Sequence, residues 1–532
     1  MPLAVPAILS LTLVAQNAPA LRFEDVTEAA GLFGISKSCG SAWVDLNGDG
    51  WPDLWASRHA AVPDILRNRR DGKFLKTRKR YFPKMQGKDF RGTSFADYDN
   101  DGDPDGVTTC GADNGVGENP KLFWRDDQRV FTDIADQLGL TDPPARGRTV
   151  TWLDWNGDGV LDLLMANKPR EDGRSPTSLF LQKEGKFALE RTFPDAGETF
   201  DPTHGQLVDL DGDGKLELAI LTTDKVTLCA VGGGPLPYDP GEIEGAVDAA
   251  CVDLDNNGKL ELILGRREHG CRLDSMRLKK DELVAWHLIP PALRMASIGS
   301  FAAGDLDNDG DIDLFLVCTE FEKNTPDVLL ENRGLGAFQD VMHSGCEGPS
   351  EGIGESVSVC DYDCDGRLDL FVQNGYGNGS QILPAKRQLF HNIGGVGNHW
   401  VELDLVGTKC NRDAIGARVT VTCGKKRQLR LQNGGVHSFA QDFPRVHVGL
   451  AKAETIDKLE VDWPDGSHQE FADVAADKIY VITQGAEAPV VRTLPPALKE
   501  DPDDPQPKRA KEGSDSNGGG DENDDDKPDD GN

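Results

Sequence analysis

Seven short acidic loops recur along this 532-residue chain, and each sets oxygen-bearing side chains at its first, third, fifth and ninth positions. The sets are Asp45, Asn47, Asp49 and Asp53; Asp97, Asp99, Asp101 and Asp105; Asp154, Asn156, Asp158 and Asp162; and Asp209, Asp211, Asp213 and Glu217. They continue with Asp253, Asp255, Asn257 and Glu261; Asp305, Asp307, Asp309 and Asp313; and Asp361, Asp363, Asp365 and Asp369. We number them loops 1 to 7. Glycine holds the sixth position throughout, where the chain must turn sharply. Hard oxygen ligands this closely spaced are chemistry for a Ca²⁺-type cation. The seventh residue would ligate through its carbonyl, so the Asp311 side chain is expected to contribute charge alone. One such loop is equally well read as a solvated Asp/Gly turn; seven in register are not.

The elements around the loops follow from the flanking residues. An EF-hand would need a bidentate Glu at position 12. Here that position is Ala56, Thr108, Met165, Ile220, Leu264, Leu316 and Val372. Each loop is followed by a short apolar run, such as Leu314–Val317, and preceded by another, such as Ser41–Val44. Runs of that length between turn residues predict buried strands. Each unit therefore reads strand, loop, strand, then further strand, repeated roughly every 50 residues.

These residues resemble the FG-GAP/VCBS repeats of integrin α-like β-propellers, whose pattern Asp-x-Asp-x-Asp-Gly-x-x-Asp is recognisable at all seven sites. The resemblance implies an all-β fold, a seven-bladed β-propeller over residues 21–395, with up to seven structural Ca²⁺ ions as its cofactors. The last unit lacks the aromatic-x-Asp strand found at Phe131–Ile134 and Phe338–Val341. The chain's start supplies one at Phe23–Thr27, so this strand is expected to complete the seventh blade and remove an open edge. Alternation would bury Phe23 and Val26 on opposite faces.

Beyond residue 395 the loops stop. Strand patterns at Trp400–Leu405, Ala417–Thr422, Val446–Val448 and Leu459–Trp463 suit a half-buried sheet. The stretches Asn398–Trp400, Gly407–Arg418 and Trp463–Gly466 resemble the ASPIC/UnbV domain, here expected as a small β-sandwich-like domain over residues 396–486. Residues 487–532 are rich in Pro, Asp, Glu and Gly and are expected to form a disordered acidic tail. Residues 1–20 read as a signal peptide, with an apolar run and Ala18-Pro-Ala20 as its cleavage site, although no Lys or Arg precedes the run. The chain is therefore expected to be secreted, periplasmic or on the cell surface, with no transmembrane segment once mature, and monomeric.

The formal net charge of −33 excludes a nucleic-acid partner, which needs a cationic footprint. Clustered carboxylates repel when bare, so metal and fold should be coupled. Of the eleven cysteines, Cys110 and Cys318 sit at equivalent places and read as small buried hydrophobes. Cys410 and Cys423 could pair in an oxidising compartment. No Gly-x-x-x-x-Gly-Lys-Ser/Thr or His-Glu-x-x-His signature is present, and the scattered histidines lack ligand spacing.

One further constellation lies at the sixth residue before each loop, where the innermost strands should begin. It includes Arg91, Arg148 and Glu355, with His204 beside Thr203. Such a group at a channel mouth suits an anionic or sugar-like ligand; the plainer reading is a solvated rim with incidental ion pairs. The chain is thus read as a binding or adhesion-type module for a protein or glycan partner. The alternative is an enzyme on the open propeller face, of polysaccharide lyase or cyclase type.

Overall fold

The computed structural model describes residues 21–498 apart from 34, 37, 60, 86–88, 114–115, 118–120, 126–129, 141–145, 169–176, 194–201, 267–271, 281, 288–297, 320–325, 349–353 and 379–380. The expected signal peptide lies outside the described residues, as does the tail beyond 498. The start of the tail is corrected: Val490 and Val491 pair with Val481 and Tyr480. The Pro495 and Pro496 carbonyls then accept hydrogen bonds from Trp51 and Arg70 beside loop 1. Prolines lack a donor but keep an acceptor, so a Pro-rich strand can dock on side-chain donors without a sheet partner of its own.

Among the described residues, seven antiparallel sheets each carry one acidic loop between their first and second strands. The apolar runs after the loops become second strands buried on both faces, as in Asp313–Cys318 and Glu217–Thr222. Cys110 and Cys318 are both buried at the ends of these strands, as expected. The sheets stack face to face, so one core cluster takes residues from neighbours; Ile263 of the fifth packs with Leu314 and Phe301 of the sixth. The first strands, from Ser38–Val44 through Phe90–Ala96 to Gly354–Cys360, meet in chain order, and the last returns to the first. Ser41 and Ser358 share a buried hydroxyl hydrogen bond of 2.8 Å at that junction. The arrangement is a β-propeller.

The N-terminal strand Phe23–Asp25 completes the seventh sheet, with Phe23 opposite Asn392 and Asp25 opposite Phe390. Phe23 packs with Phe315, Val357 and Phe390, while Val26 packs on the other face near Trp43, Leu66 and Phe371. The alternation in the sequence therefore places both residues.

Sequence reasoning missed a regular β-bulge. Six of the seven first strands slip register near their start: between Ser38 and Ser41, Phe90 and Thr93, Gly147 and Thr149, Pro202 and Gly205, Ile298 and Ser300, and Gly354 and Ser356. Such bulges re-aim a side chain and increase local twist. Arg91, Arg148, His204 and Glu355 all fall inside them.

The C-terminal domain consists of two four-stranded sheets. Val401 and Ile482 of one pack against Val419 and Leu459 of the other in a single core, which is a sandwich. One sheet contains a parallel pair, His399–Val406 with Lys478–Thr483. Between the strands Lys426–Leu431 and Val446–Ala451, the chain leaves the sandwich as a small hairpin whose strands are Val436–His437 and Ala440–Gln441.

Candidate metal loops and the domain that covers them

Each acidic loop is shaped by its own carboxylates. In loop 1 the first residue, Asp45, accepts the Asp49 amide at 3.0 Å and the Gly50 amide at 2.6 Å. Loops 2, 3, 5 and 7 repeat this pair of bonds. In all seven loops the fifth residue accepts the amide of the seventh. The sixth-position glycines take φ between +80° and +100°, a region that side chains avoid. Gly366 also admits the Trp400 ring where a Cβ would stand 1.7 Å from it.

The ninth residue joins the loop to the sheet. Asp53, Asp162, Asp313 and Asp369 each accept the second residue's amide with one oxygen and a third-strand amide with the other. The third-strand residue is Asn68, Gln182, Asn332 or Asn392. Its side-chain amide then donates to the second carbonyl of the preceding loop: Tyr362, Tyr98, Leu254 and Leu306 in turn, at 2.6–3.1 Å. These four residues clasp neighbouring sheets at the loop end. They lie 15 to 23 residues beyond the ninth position, a variable spacing that hides them in the sequence. Asn332→Ala should strip the buried Leu254 carbonyl of its donor and cost about 1–3 kcal/mol in urea unfolding. A cost below about 0.5 kcal/mol, the range of ordinary surface changes, would show that the clasp carries no load.

The donor set fits a hard cation. Carboxylates meet within ligand reach at Asp97, Asp99 and Asp101, at Asp209, Asp211 and Asp213, and at Asp253, Asp255 and Glu261. Asn47 Oδ1 and Asp305 Oδ1 are screened from solvent and accept no hydrogen bond. Burial, together with neighbouring carboxylates, raises Asp305 and Glu217 to about 8 and Asp97 to about 7. A bound Ca²⁺ would supply the positive charge these sites lack, held by the first, third, fifth and ninth residues. One expectation is corrected. The Asp311 side chain contacts Lys426 at 3.1 Å and the Asn256 amide, so it links loops 5 and 6 to the C-terminal domain.

That domain sits on the loop end of the propeller. Arg412 pairs with Asp97 at 3.2 Å and Arg418 with Asp209 at 3.0 Å. The Lys426 ammonium reaches the Asp309 carbonyl at 2.8 Å, and the Leu429 amide reaches Asp253. His447 meets the Gly366 carbonyl, and Arg445 donates to the Gly50 carbonyl. Basic residues of one domain thus lie over acidic loops of the other.

The hairpin enters the space enclosed by the first strands. Gln441 exchanges two 2.8 Å hydrogen bonds with the Phe95 backbone, and Ala42 is its parallel partner. The His437 ring nitrogens face Asp248 at 3.4 Å and Asp442 at 3.2 Å. Burial opposes its charge, but Asp442 and Asp248 outweigh that and hold the imidazole protonated. His204 is 0% exposed and faces Asp248, and burial lowers it to about 4. It therefore belongs to the packing around the hairpin and does not line a solvent-filled mouth. Arg91 pairs with Asp89 at 2.8 Å and approaches His59 at 3.1 Å. Arg148 lies in the bulge near the start of the strand Arg146–Leu153, and its carbonyl receives the Thr109 hydroxyl. Glu355 is half-buried at the corresponding point of the seventh sheet. Cys410 and Cys423 are free thiols, facing Gln484 and the Thr455 carbonyl respectively.

A cavity of about 180 Å³ remains where hairpin, sandwich and first strands meet, lined by Asp305, Asp361, Glu402, Arg430, His437 and Arg445. Its Arg445 and His437 are already paired with Glu402, Asp404, Asp248 and Asp442. Among the described residues no helix is long and apolar enough to cross a membrane.

Comparison with known proteins adds the following. Residues 45–108 and 305–372 match the model of an FG-GAP-like repeat, and residues 407–489 match that of ASPIC and UnbV. The chain is similar to cartilage acidic protein 1 of Xenopus tropicalis, 28% identical over 173 residues, covering 32% of this chain and 26% of that protein. It is 27% identical to the Homo sapiens protein over 182 residues, 33% of this chain and 26% of that one. The matches thus span about a quarter of these relatives' length. Among solved structures, BBS1N in complex with ARL6DN gives a TM-score of 0.42 at 10% identity, covering 71% of this chain and 98% of that one. The Cps50 (Swd1) β-propeller domain of Myceliophteria thermophila gives 0.39 at 10%, covering 67% and 97%.

Proposed function

Because this chain carries FG-GAP-like repeats followed by an ASPIC/UnbV domain, we propose that it is an exported, calcium-stabilised β-propeller that binds a protein or glycan partner as a monomer. The observation that supports this most is the placement of the C-terminal domain. It covers the loop end and sends its hairpin along the first strands, leaving the bulged rim with Arg91, Arg148 and Glu355 as the propeller's other end. A charged, partly exposed rim suits a macromolecular surface. The interdomain cavity falls below the 300–1,000 Å³ or so of ordinary ligand pockets, and its Arg445 and His437 are already paired, which disfavours the enzyme reading. Ca²⁺ in this account is structural.

The test is a protein and glycan array probed with wild type and with the Arg91→Ala, Arg148→Ala double variant. Loss of an acidic partner in the double variant, with a melting temperature within a few degrees of wild type, is expected, since partly exposed charges contribute little to stability. Unchanged partner binding would remove the rim from the account.

A further inference from the structure

The seven loops are not chemically equal, and the third strand of each sheet shows why. Strand pairing sets Leu54 against Leu66, Leu163 against Phe180, Leu262 against Met276, Leu314 against Leu330 and Leu370 against Phe390. One step further along each pair, the residue facing the ninth loop position is Arg67, Leu181, Arg277, Glu331 or His391. In the fourth sheet Ala230 pairs directly with Glu217. This single position therefore offers its loop a cation, an apolar group, a carboxylate or an imidazole. Arg277, for instance, reaches Asp255 of loop 5 at 3.4 Å.

Loop 7 alone in this series receives a nitrogen ligand. His391 Nδ1 lies 3.1 Å from Asp369 Oδ1 and 3.7 Å from Asp363 Oδ2. Ligand atoms of Asp363, Asp369 and His391 all fall within 4.8 Å of one another. Asp363 Oδ1 is screened from solvent and accepts no hydrogen bond. Asp361 takes the Asp365 and Gly366 amides and Asp365 pairs with Arg367, whereas Asp369 takes the Tyr362 and Asn392 amides and also meets the imidazole. The group gathered at His391 is two carboxylates and one imidazole, a charge of −2 when the imidazole is neutral.

We propose that loop 7 is a mixed nitrogen–oxygen site for a first-row transition-metal dication, which His391 selects over Ca²⁺. Ca²⁺ takes oxygen ligands, whereas imidazole suits Zn²⁺ and its neighbours. Ligand atoms bound at about 2.0–2.1 Å around a tetrahedral ion stand roughly 3.3 Å apart, between the two separations found here. Binding through Nδ1 requires that nitrogen bare, so the proton it can share with Asp369 leaves to solvent and Nε2 keeps the other. The inference rests on the preceding reading only in taking the loop as a cation site.

Equilibrium dialysis of the full chain against Zn²⁺ in saturating Ca²⁺ tests it. One Zn²⁺ per chain should be retained, and His391→Asn should weaken its retention at least about 10-fold. His468→Asn is the control, because Glu460, His468 and Glu470 form a second candidate group at the surface; it should retain Zn²⁺ as wild type does. Asp363→Asn serves as a second variant if circular dichroism shows His391→Asn misfolded. Zn²⁺ fully displaced by Ca²⁺ in wild type, or retention insensitive to both loop 7 variants, would overturn the assignment. The same dialysis without Zn²⁺ counts Ca²⁺. No bound Ca²⁺ alongside His391-dependent Zn²⁺ would sink the calcium reading and leave this one standing; bound Ca²⁺ with no retained Zn²⁺ would do the reverse.

Discussion

Removing calcium should lower the melting temperature by well over 10 °C. A ligand that binds only the folded chain stabilises it by mass action, about 2.7 kcal/mol per site at a hundredfold excess over its dissociation constant, and several sites act together. The loops also carry the cost of their own charge when bare. Asp305 and Glu217 sit near 8, and Asp97, Asp162, Asp307 and Asp369 near 7, each raised chiefly by burial. The sign follows from linkage. These acids hold their protons in the folded state and lose them near pH 4 when unfolded. Stability of the metal-free chain is therefore full below about pH 4 and falls as pH rises toward 8. Calcium should reverse that slope, because it favours the ionised form. Thermal melts in chelator and in excess Ca²⁺, taken from pH 5 to 8, read both effects. Curves that coincide at every pH would contradict the coupling of metal and fold.

The second large effect is expected at Arg445. Its side chain is 2% exposed and meets Glu402 at 3.1 Å, Asp404 at 2.9 Å and the Gly50 carbonyl at 3.0 Å, while lying over the Phe443 ring. It is the point where sandwich, hairpin and loop 1 join. Arg445→Ala leaves Glu402 buried near Asp361 with no cation, and removing one partner of a buried pair typically costs about 3–5 kcal/mol. Denaturant unfolding should register that loss, and proteolysis should begin cutting between propeller and sandwich. Arg445→Ala with Glu402→Gln should recover part of it, because the stranded charge is gone. A single-variant loss under about 1 kcal/mol would mean the sandwich is held by its packing alone.

The sequence carries the loops plainly because ligand, glycine and strand follow one another within nine residues. The closure of the seventh sheet was legible for a similar reason: Phe23 and Val26 alternate as a strand between two packed faces must. What it hides is long-range. Gln441 finds Phe95, and Asp442 finds the Val359 amide, across hundreds and tens of residues respectively. The stretch Asn433-Gly-Gly435 before them reads as an ordinary turn. The Asn clasps and His391 escape because the distance from loop to third strand varies between sheets, so neither makes a motif. His204 was placed at a mouth by counting back from loop 4. The bulge between Pro202 and Gly205 and the hairpin's His437 give it a buried partner instead. The sandwich was half visible: the strand before the hairpin, Lys426–Leu431, is charged enough to pass for loop, and its Lys426 lies over loop 6.

Calcium counting tests the central claim most directly. Equilibrium dialysis of the folded chain at Ca²⁺ concentrations spanning about 10⁻⁵ to 10⁻² M should show several ions bound per chain, up to seven, with half-saturation near 10⁻⁴–10⁻³ M as in extracellular modules. Asp305→Ala, which removes the first ligand of loop 6, should lower the count by one. A folded chain that binds no Ca²⁺ across that range would contradict the account.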